Sequence, residues 1–274
     1  MFATWHTGLA TLTDRLLSDV PARVLTGVAA TGLVPTATGH RVELGANAPV
    51  EADSVVLAVP AAAAAALVAP HAPAANQLLT GARVARVATV VLGFDRAETR
   101  SLRAFAANGL LIPSRSGMLL KALTNLSRKW ARFVDDDLTL LRLSVGRAGS
   151  GRLDDLDDVE LVDQLRRDLS AVTGLHAAPQ LTHVHRWSEG LPQLRVGHHA
   201  RLAALRESLS RALPGVLVAG SSYDGLGVGS CLAAAESTAA AVAARVPALT
   251  GGRTRASSAS SNPTGPPHPH RSNT

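Results

Sequence analysis

Residues Val216–Val246, VLVAGSSYDGLGVGSCLAAAESTAAAVAARV, constrain the fold more than any other stretch of this chain. Four apolar residues ending at Gly220 predict a short interior strand of a parallel sheet, covered on both faces. Gly225, Gly227 and Gly229 follow, and without a Cβ they let the backbone pass very close to something. A long alanine-rich helix beginning near Ser230 then turns unpaired N–H groups and a partial positive charge back toward the turn. Strand, glycine turn and helix N-terminus together make a place for an anionic or electron-rich ligand. An ordinary βα turn would carry the same residues, and this stretch alone does not separate the two readings.

At 274 residues, with 46% apolar residues, the chain is long enough to bury a large core in one or two domains. Val55–Val68 is the longest apolar candidate for a membrane span; it is too short and carries Pro60. The opening MFATWHTG lacks the basic-then-apolar pattern of a secretory signal. A single cysteine, Cys231, excludes an internal disulfide framework and points to a reducing cytosol. Net charge is +6, but Arg253, Arg255 and Arg271 lie in the acid-free tail. No stripe of basic residues interleaved with aromatics marks a nucleic-acid groove.

In chain order, Leu9, Leu12, Leu16 and Leu17 have helical spacing over Thr7–Val20, and Pro21 ends that helix. Arg23–Thr26 reads as a strand, and Gly27–Leu33 with His40–Leu44 as a hairpin closed around Thr38-Gly39. Ala52–Val59 reads as a strand buried on both faces, and Ala61–Val68 as a polyalanine helix. Alternating patterns predict strands at Val84–Phe94, Leu110–Pro113, Met118–Asn125, Leu138–Val145 and Leu181–Trp187. Helices are expected at Asp157–Val172, with acids in the first turn as the macrodipole prefers, and at His199–Ala212.

The ends of the chain thus look like parts of a doubly wound α/β layer, and the middle like an antiparallel sheet with helices inserted into it. The expected division is 1–60 and 213–247 in the layer, 61–212 in the insert, and a disordered Ser/Pro/Gly/Thr-rich tail over 248–274. The strand, Gly-x-Gly-x-x-Gly turn and helix that open a Rossmann layer do not occur near the start.

Trp187, Leu191-Pro192-Gln193, Gly197-His198 and GSSYDGLGVGSC resemble the C-terminal half of oxygen-dependent porphyrinogen oxidases, FAD flavoproteins of haem biosynthesis. Phe2–Leu12 is similar to that family's F-x-x-x-x-G-G-L segment, Val55–Pro60 to its V-V-x-A-x-P strand, and Lys121–Trp130 to its K-A-x-T…S-x-K-W segment. Leu194 stands where the family has Tyr, Thr7 replaces a glycine, and the family's dinucleotide fingerprint is absent.

The resemblance implies a p-hydroxybenzoate-hydroxylase/amine-oxidase-like fold: a partial FAD layer plus an antiparallel-sheet substrate domain. It implies FAD as cofactor, coproporphyrinogen III or protoporphyrinogen IX and oxygen as partners, and no nucleic acid. It leaves a homodimer and peripheral membrane contact open for the intact, cytoplasmic enzyme. Carried onto this sequence, the cofactor contacts are Ala30 on the first hairpin strand at the adenine end, and Gly190 and Leu191 at the ring system. Gly225, Gly227, Val228 and Gly229 fall at the ring edge. The fragment by itself is expected to be inactive. The alternatives are a non-catalytic remnant keeping the substrate-domain fold, or another amine-oxidase-like FAD enzyme.

Lys121 and Lys129, the only lysines, are candidates for substrate propionates, although an exposed strand and loop would carry such charges anyway. His198 and His199 have no companion ligands at metal-site spacing, so a local hydrogen bond at a helix start is the better reading for His198. Cys231, with no histidine at a readable spacing, reads as a small packed residue at the start of the last helix.

Overall fold

In a computed structural model of the chain, residues 4–134 and 137–245 are described. The expected disordered tail, 248–274, lies outside them.

Two short strands, β4 (Val55–Leu57) and β10 (Val216–Val218), pair in parallel with Val55, Val56 and Leu57 opposite Val216, Leu217 and Val218. Parallel neighbours need a long crossover; here it is everything between them. Helices α2 (Ala61–Val68), α3 (Pro73–Thr80) and α7 (His198–Ala212) pack on one face of this pair. Their Ala64, Val68, Leu79, Leu205 and Leu209 share a core with Leu57, Val216 and Val218. The polyalanine run of α2 suits this position, because small side chains let a helix lie close to its neighbours. Helix α3 is not evident from periodicity: it is two turns long, and its only start signal is Pro73 in the first turn.

The strand expected over Ala52–Val59 is two strands. Its first residue closes β3 (Asn47–Ala52), and β4 starts only after a break at Asp53-Ser54. Nor is it covered on both faces: Leu57 is buried while Val56 is 43% exposed, because helices cover only one side. The hairpin is β1 (Gly32–Pro35) with β2 (His40–Leu44), and β3 adds a third antiparallel strand. Arg23–Thr26 is exposed and joins no ladder among the described residues, so it is not a strand. Ala30 accordingly precedes the hairpin strand and is exposed. Helix α1 (Ala10–Ser18) forms where the leucine spacing predicts, yet buries none of its residues.

The insert is a five-stranded antiparallel sheet in the order β6-β7-β8-β5-β9. Its strands are β5 (Arg83–Asp95), β6 (Gly109–Leu111), β7 (Leu120–Asn125), β8 (Leu138–Val145) and β9 (Leu181–Gln193). The short helices α4 (Arg96–Arg100) and α5 (Leu126–Lys129) link them. Strand β5 alternates as its sequence requires: Ala88, Val90, Leu92 and Phe94 face inward onto α6 (Asp158–Thr173), meeting Leu161, Leu165 and Leu169. Asp157 caps α6, accepting from the Glu160 N–H at 2.8 Å while the Glu160 carboxylate accepts from the Asp157 N–H at 3.0 Å. Asp168, 6% exposed, fastens α6 to the sheet. Its carboxylate accepts from the Leu119 and Leu120 N–H groups at 2.8 and 2.9 Å, and from Gln164 at 2.9 Å.

Val87, Thr89 and Val91 of β5 face the other way, half-buried and outside the core shared with α6. Strand β9 runs on past Trp187 to Gln193, with a bulge between its pairings to Val87 and Ala85.

Candidate functional site

Strand β10 ends at the turn Gly220–Gly227, and α8 (Val228–Ala243) starts directly on Gly227, two residues before the expected Ser230. The turn is tightly specified. Gly220 has φ +112°, and its carbonyl accepts from the Tyr223 and Asp224 N–H groups at 3.0 and 2.9 Å. Gly225 has φ +124°, a conformation side chains rarely adopt, and an added Cβ would lie 3.2 Å from Ser230. Gly227 and Gly229 have no such backbone demand. Around Gly229 a Cβ would meet nothing within 4 Å, and beside Gly227 only the Ser230 hydroxyl at 3.8 Å.

Tyr223 ties the turn to the layer. It is 3% exposed, and its hydroxyl donates to the Val59 carbonyl at 3.0 Å. Burial, with the Asp224 carboxylate second, pushes its phenol up to about 12. The Tyr223 carbonyl bonds His198 Nε2 at 2.5 Å, so the first residue of α7 holds the turn from behind. The expected hydrogen bond of His198 exists, but it spans 25 residues and is not local. Asp224 pairs with Arg206 on α7 at 2.6 Å. The Cys231 thiol contacts the Gly225 carbonyl at 3.7 Å, a packing contact. Among the described residues no group of three or more His, Cys, Asp or Glu gathers as metal ligands.

Helix α8 carries no side-chain cap and no acid in its first turn. Its first N–H groups and positive dipole end face open space, and Val228 is 52% exposed. A flat, electron-rich ring edge fits such a cradle, since the glycines leave room for it and the N–H groups would meet its acceptors. The structure thus groups Gly225, Gly227, Val228 and Gly229.

Gly190 and Leu191 form a second group, in and just past the β9 bulge, with Leu191 opposite Ala85. A Cβ on Gly190 would fall 2.5 Å from the Trp187 Cβ and 2.7 Å from a Val87 methyl, so the crossing itself requires glycine. Ala30 lies before β1, outside either group. Lys121, on β7, donates to the Gly146 carbonyl at 3.3 Å, and Lys129 ends α5 with its ammonium 5.3 Å from the Trp130 ring centre. The two lysines therefore have partners of their own. Sequence reasoning missed the anchoring of the turn by Tyr223 and His198. The only tyrosine of the chain standing inside a glycine turn was the available signal.

The flavin containing amine oxidoreductase family matches residues 1–243. Coproporphyrinogen III oxidase of Bacillus subtilis (strain 168) is 33% identical over 232 residues, covering 84% of this chain and 48% of that protein. The Mycobacterium tuberculosis (strain H37Rv) protein of the same name is 38% identical over 189 residues, 68% of this chain and 39% of its own length. Among solved structures, a provisionally named protoporphyrinogen oxidase from Exiguobacterium sp. 255-15 superposes with a TM-score of 0.79 at 26% identity, covering 89% of this chain and 52% of that one. The chain spans about half the length of the Bacillus relative and of that structure, or less for the mycobacterial protein. No helix among the described residues is long and apolar enough to cross a membrane. With a parallel strand pair leading into an uncapped helix behind a glycine turn, an antiparallel sheet inserted between those strands, and a family match over nearly all described residues, the chain belongs to the flavin-containing amine oxidoreductases.

Proposed function

We propose that this polypeptide is the substrate-domain-bearing portion of an FAD-dependent porphyrinogen oxidase, acting on coproporphyrinogen III or protoporphyrinogen IX with oxygen. The observation that carries the reading is the turn Gly220–Gly229, held by Tyr223 and His198 and opening onto the bare N-terminus of α8. The named relatives supply the substrate class.

In this reading Gly225, Gly227 and Gly229 leave the clearance for the ring edge. The Val228 N–H and the α8 dipole would face the ring edge and favour negative charge there. Gly190 and Leu191 would meet the ring system from β9, and Ala30 would lie toward the adenine end. FAD, when bound, supplies the redox chemistry, so no acid/base pair is required of the side chains. Trp187 and the outward face of the five-stranded sheet form the opposite wall of the substrate pocket and shield it from water. The helices α2, α3 and α7 share the core of β4 and β10, which supports a division with 83–193 as the inserted substrate domain and the rest as the cofactor layer.

The test is co-expression of this chain with a polypeptide corresponding to the part of the Bacillus relative that it does not span. The chain alone is expected to be colourless and inactive, because the glycine turn that would hold the cofactor pyrophosphate is not among its motifs. The pair is expected to carry flavin and to turn colourless porphyrinogen into fluorescent porphyrin. A flavin-loaded pair that oxidises amines and leaves both porphyrinogens untouched would refute the reading.

A further inference from the structure

The open face of the five-stranded sheet is not random in composition. The strand registers place two complete rows of side chains across it. One row runs His185, Thr89, Ser144, Ala122 and Leu111; the next runs His183, Val91, Arg142, Thr124 and the Cα of Gly109. Trp187 stands midway along β9 beside the bulge, on the same face opposite Val87, and its ring lies 4.1 Å from that of His185 at a steep angle. Neither row carries a carboxylate. Arg142 reaches only the Thr124 hydroxyl, at 3.4 Å, and among the described residues no acid pairs with it. A cation set in the middle of a half-apolar sheet face, without a counter-ion, is matched to an anion arriving from outside.

The spacing fits the substrate class. Neighbouring strands lie about 4.8 Å apart and residues rise about 3.3 Å, so Arg142 is about 10 Å from His183, and Trp187 about 13 Å from His183 along β9. That is the span of a tetrapyrrole macrocycle with its carboxylate arms. We propose that Arg142, with His183 two strands away, anchors propionate carboxylates of a tetrapyrrole laid over the open face, one edge of its ring against Trp187. The inference rests on the porphyrinogen-oxidase reading and names the residues that select an acidic tetrapyrrole within it. It assigns the propionates to Arg142 and His183; Lys121 and Lys129 already hold the Gly146 carbonyl and the Trp130 ring.

Titrating the full 274-residue chain with coproporphyrin III, and separately with its methyl ester, tests this through porphyrin absorbance and quenching of tryptophan fluorescence. The free acid is expected to bind saturably and to weaken with salt, as a screened ion pair does; the ester should bind more weakly and without salt dependence. Arg142→Gln should lower affinity for the acid about fivefold, the measure of a partly exposed charged contact, and leave the ester unchanged. Arg142→Lys should recover part of the loss, and Arg100→Gln, on α4 away from the face, should change nothing. If Arg142→Gln does not fold, His183→Gln and Thr124→Glu are measured in its place, with the same expected loss for the acid. Unchanged acid binding in the folded variants overturns the anchoring role and leaves the porphyrin reading intact. No saturable binding of either porphyrin to the parent chain overturns both.

Discussion

Tyr223→Phe removes one oxygen from the buried joint between the glycine turn and the end of β4. The Tyr223 hydroxyl donates to the Val59 carbonyl at 3.0 Å, so the variant leaves that carbonyl without its donor. At neutral pH the cost should be about 1 kcal/mol, the usual net contribution of a hydrogen bond whose acceptor water can partly reach. In alkali the sign changes. The phenol titrates near 10 in the unfolded chain and is pushed up to about 12 in the folded one, chiefly by burial and then by Asp224. Between those values the unfolded chain has lost the proton that the folded chain keeps. Stability is therefore whole below pH about 10 and falls as pH rises toward about 12, by up to about 2–3 kcal/mol. Tyr223→Phe has no such loss, so its disadvantage should shrink above pH about 10 and vanish or reverse near 12. Since the chain has one tyrosine, the tyrosinate absorbance reports this residue alone. Paired urea melts at neutral and alkaline pH supply the stabilities. A tyrosinate midpoint at the ordinary value, or a constant difference between the two proteins across the alkaline range, would refute the reasoning.

If the proposed site holds the flavin, Gly227→Val or Gly229→Val in the flavin-loaded enzyme should release or loosen FAD, because a branched side chain would fill the open space at these positions; retained flavin absorbance in both would place the ring elsewhere. Asp168→Ala should cost about 2–4 kcal/mol in a thermal or urea melt, since two buried backbone N–H groups and Gln164 lose their acceptor together. His40 is 2% exposed with its Nδ1 unpartnered, and burial, with Arg245 second, lowers its pKa below 6.5. Here the unfolded chain takes up the proton first, so stability should be whole above pH 6.5 and decline as pH falls toward the lower folded value. His40→Leu should flatten that acid limb; an unchanged limb would assign it to other groups.

Much of the architecture was legible because its signals are local. Alternation along Val84–Phe94 and Leu138–Val145 marks strands whose inner residues meet one helix face, and that pattern survives whatever lies on the other side. The capping pair Asp157 and Glu160 marks the start of α6 in the same way. Long-range relations were not legible. Val56 looks interior by composition, yet its exposure is set by which helices lie over β4, and no residue near it encodes that. The strand expected over Leu181–Trp187 runs on to Gln193, through Pro192 next to the bulge, where the pairing is already irregular. At the site, the glycines of the turn were visible. The bonds from Tyr223 to Val59 and to His198 span 164 and 25 residues, and sequence spacing carries no trace of either.

The surfaces around that turn leave apolar area bare. Helix α8 is apolar around most of its circumference, yet only Ala234 and Thr238 are buried, and Val228 and Leu232, with Leu226 just before the helix, are exposed. A helix of that kind belongs in an interior. Among the described residues, strand β4 pairs with β10 on one edge and has no partner on the other, while parallel sheets are stable when extended and covered on both faces. The longer relatives have as much chain again with which to cover such surfaces. A polypeptide that adds a strand beside β4 and a helix over the bare face of the pair would bury Val56, and would bring a second glycine turn to the same end of the sheet, where the pyrophosphate of a dinucleotide is held. Covering the apolar surface and gaining cofactor affinity are then coupled. FAD held at a hundredfold excess over its Kd would add about 2.7 kcal/mol to the covered state and nothing to the bare one.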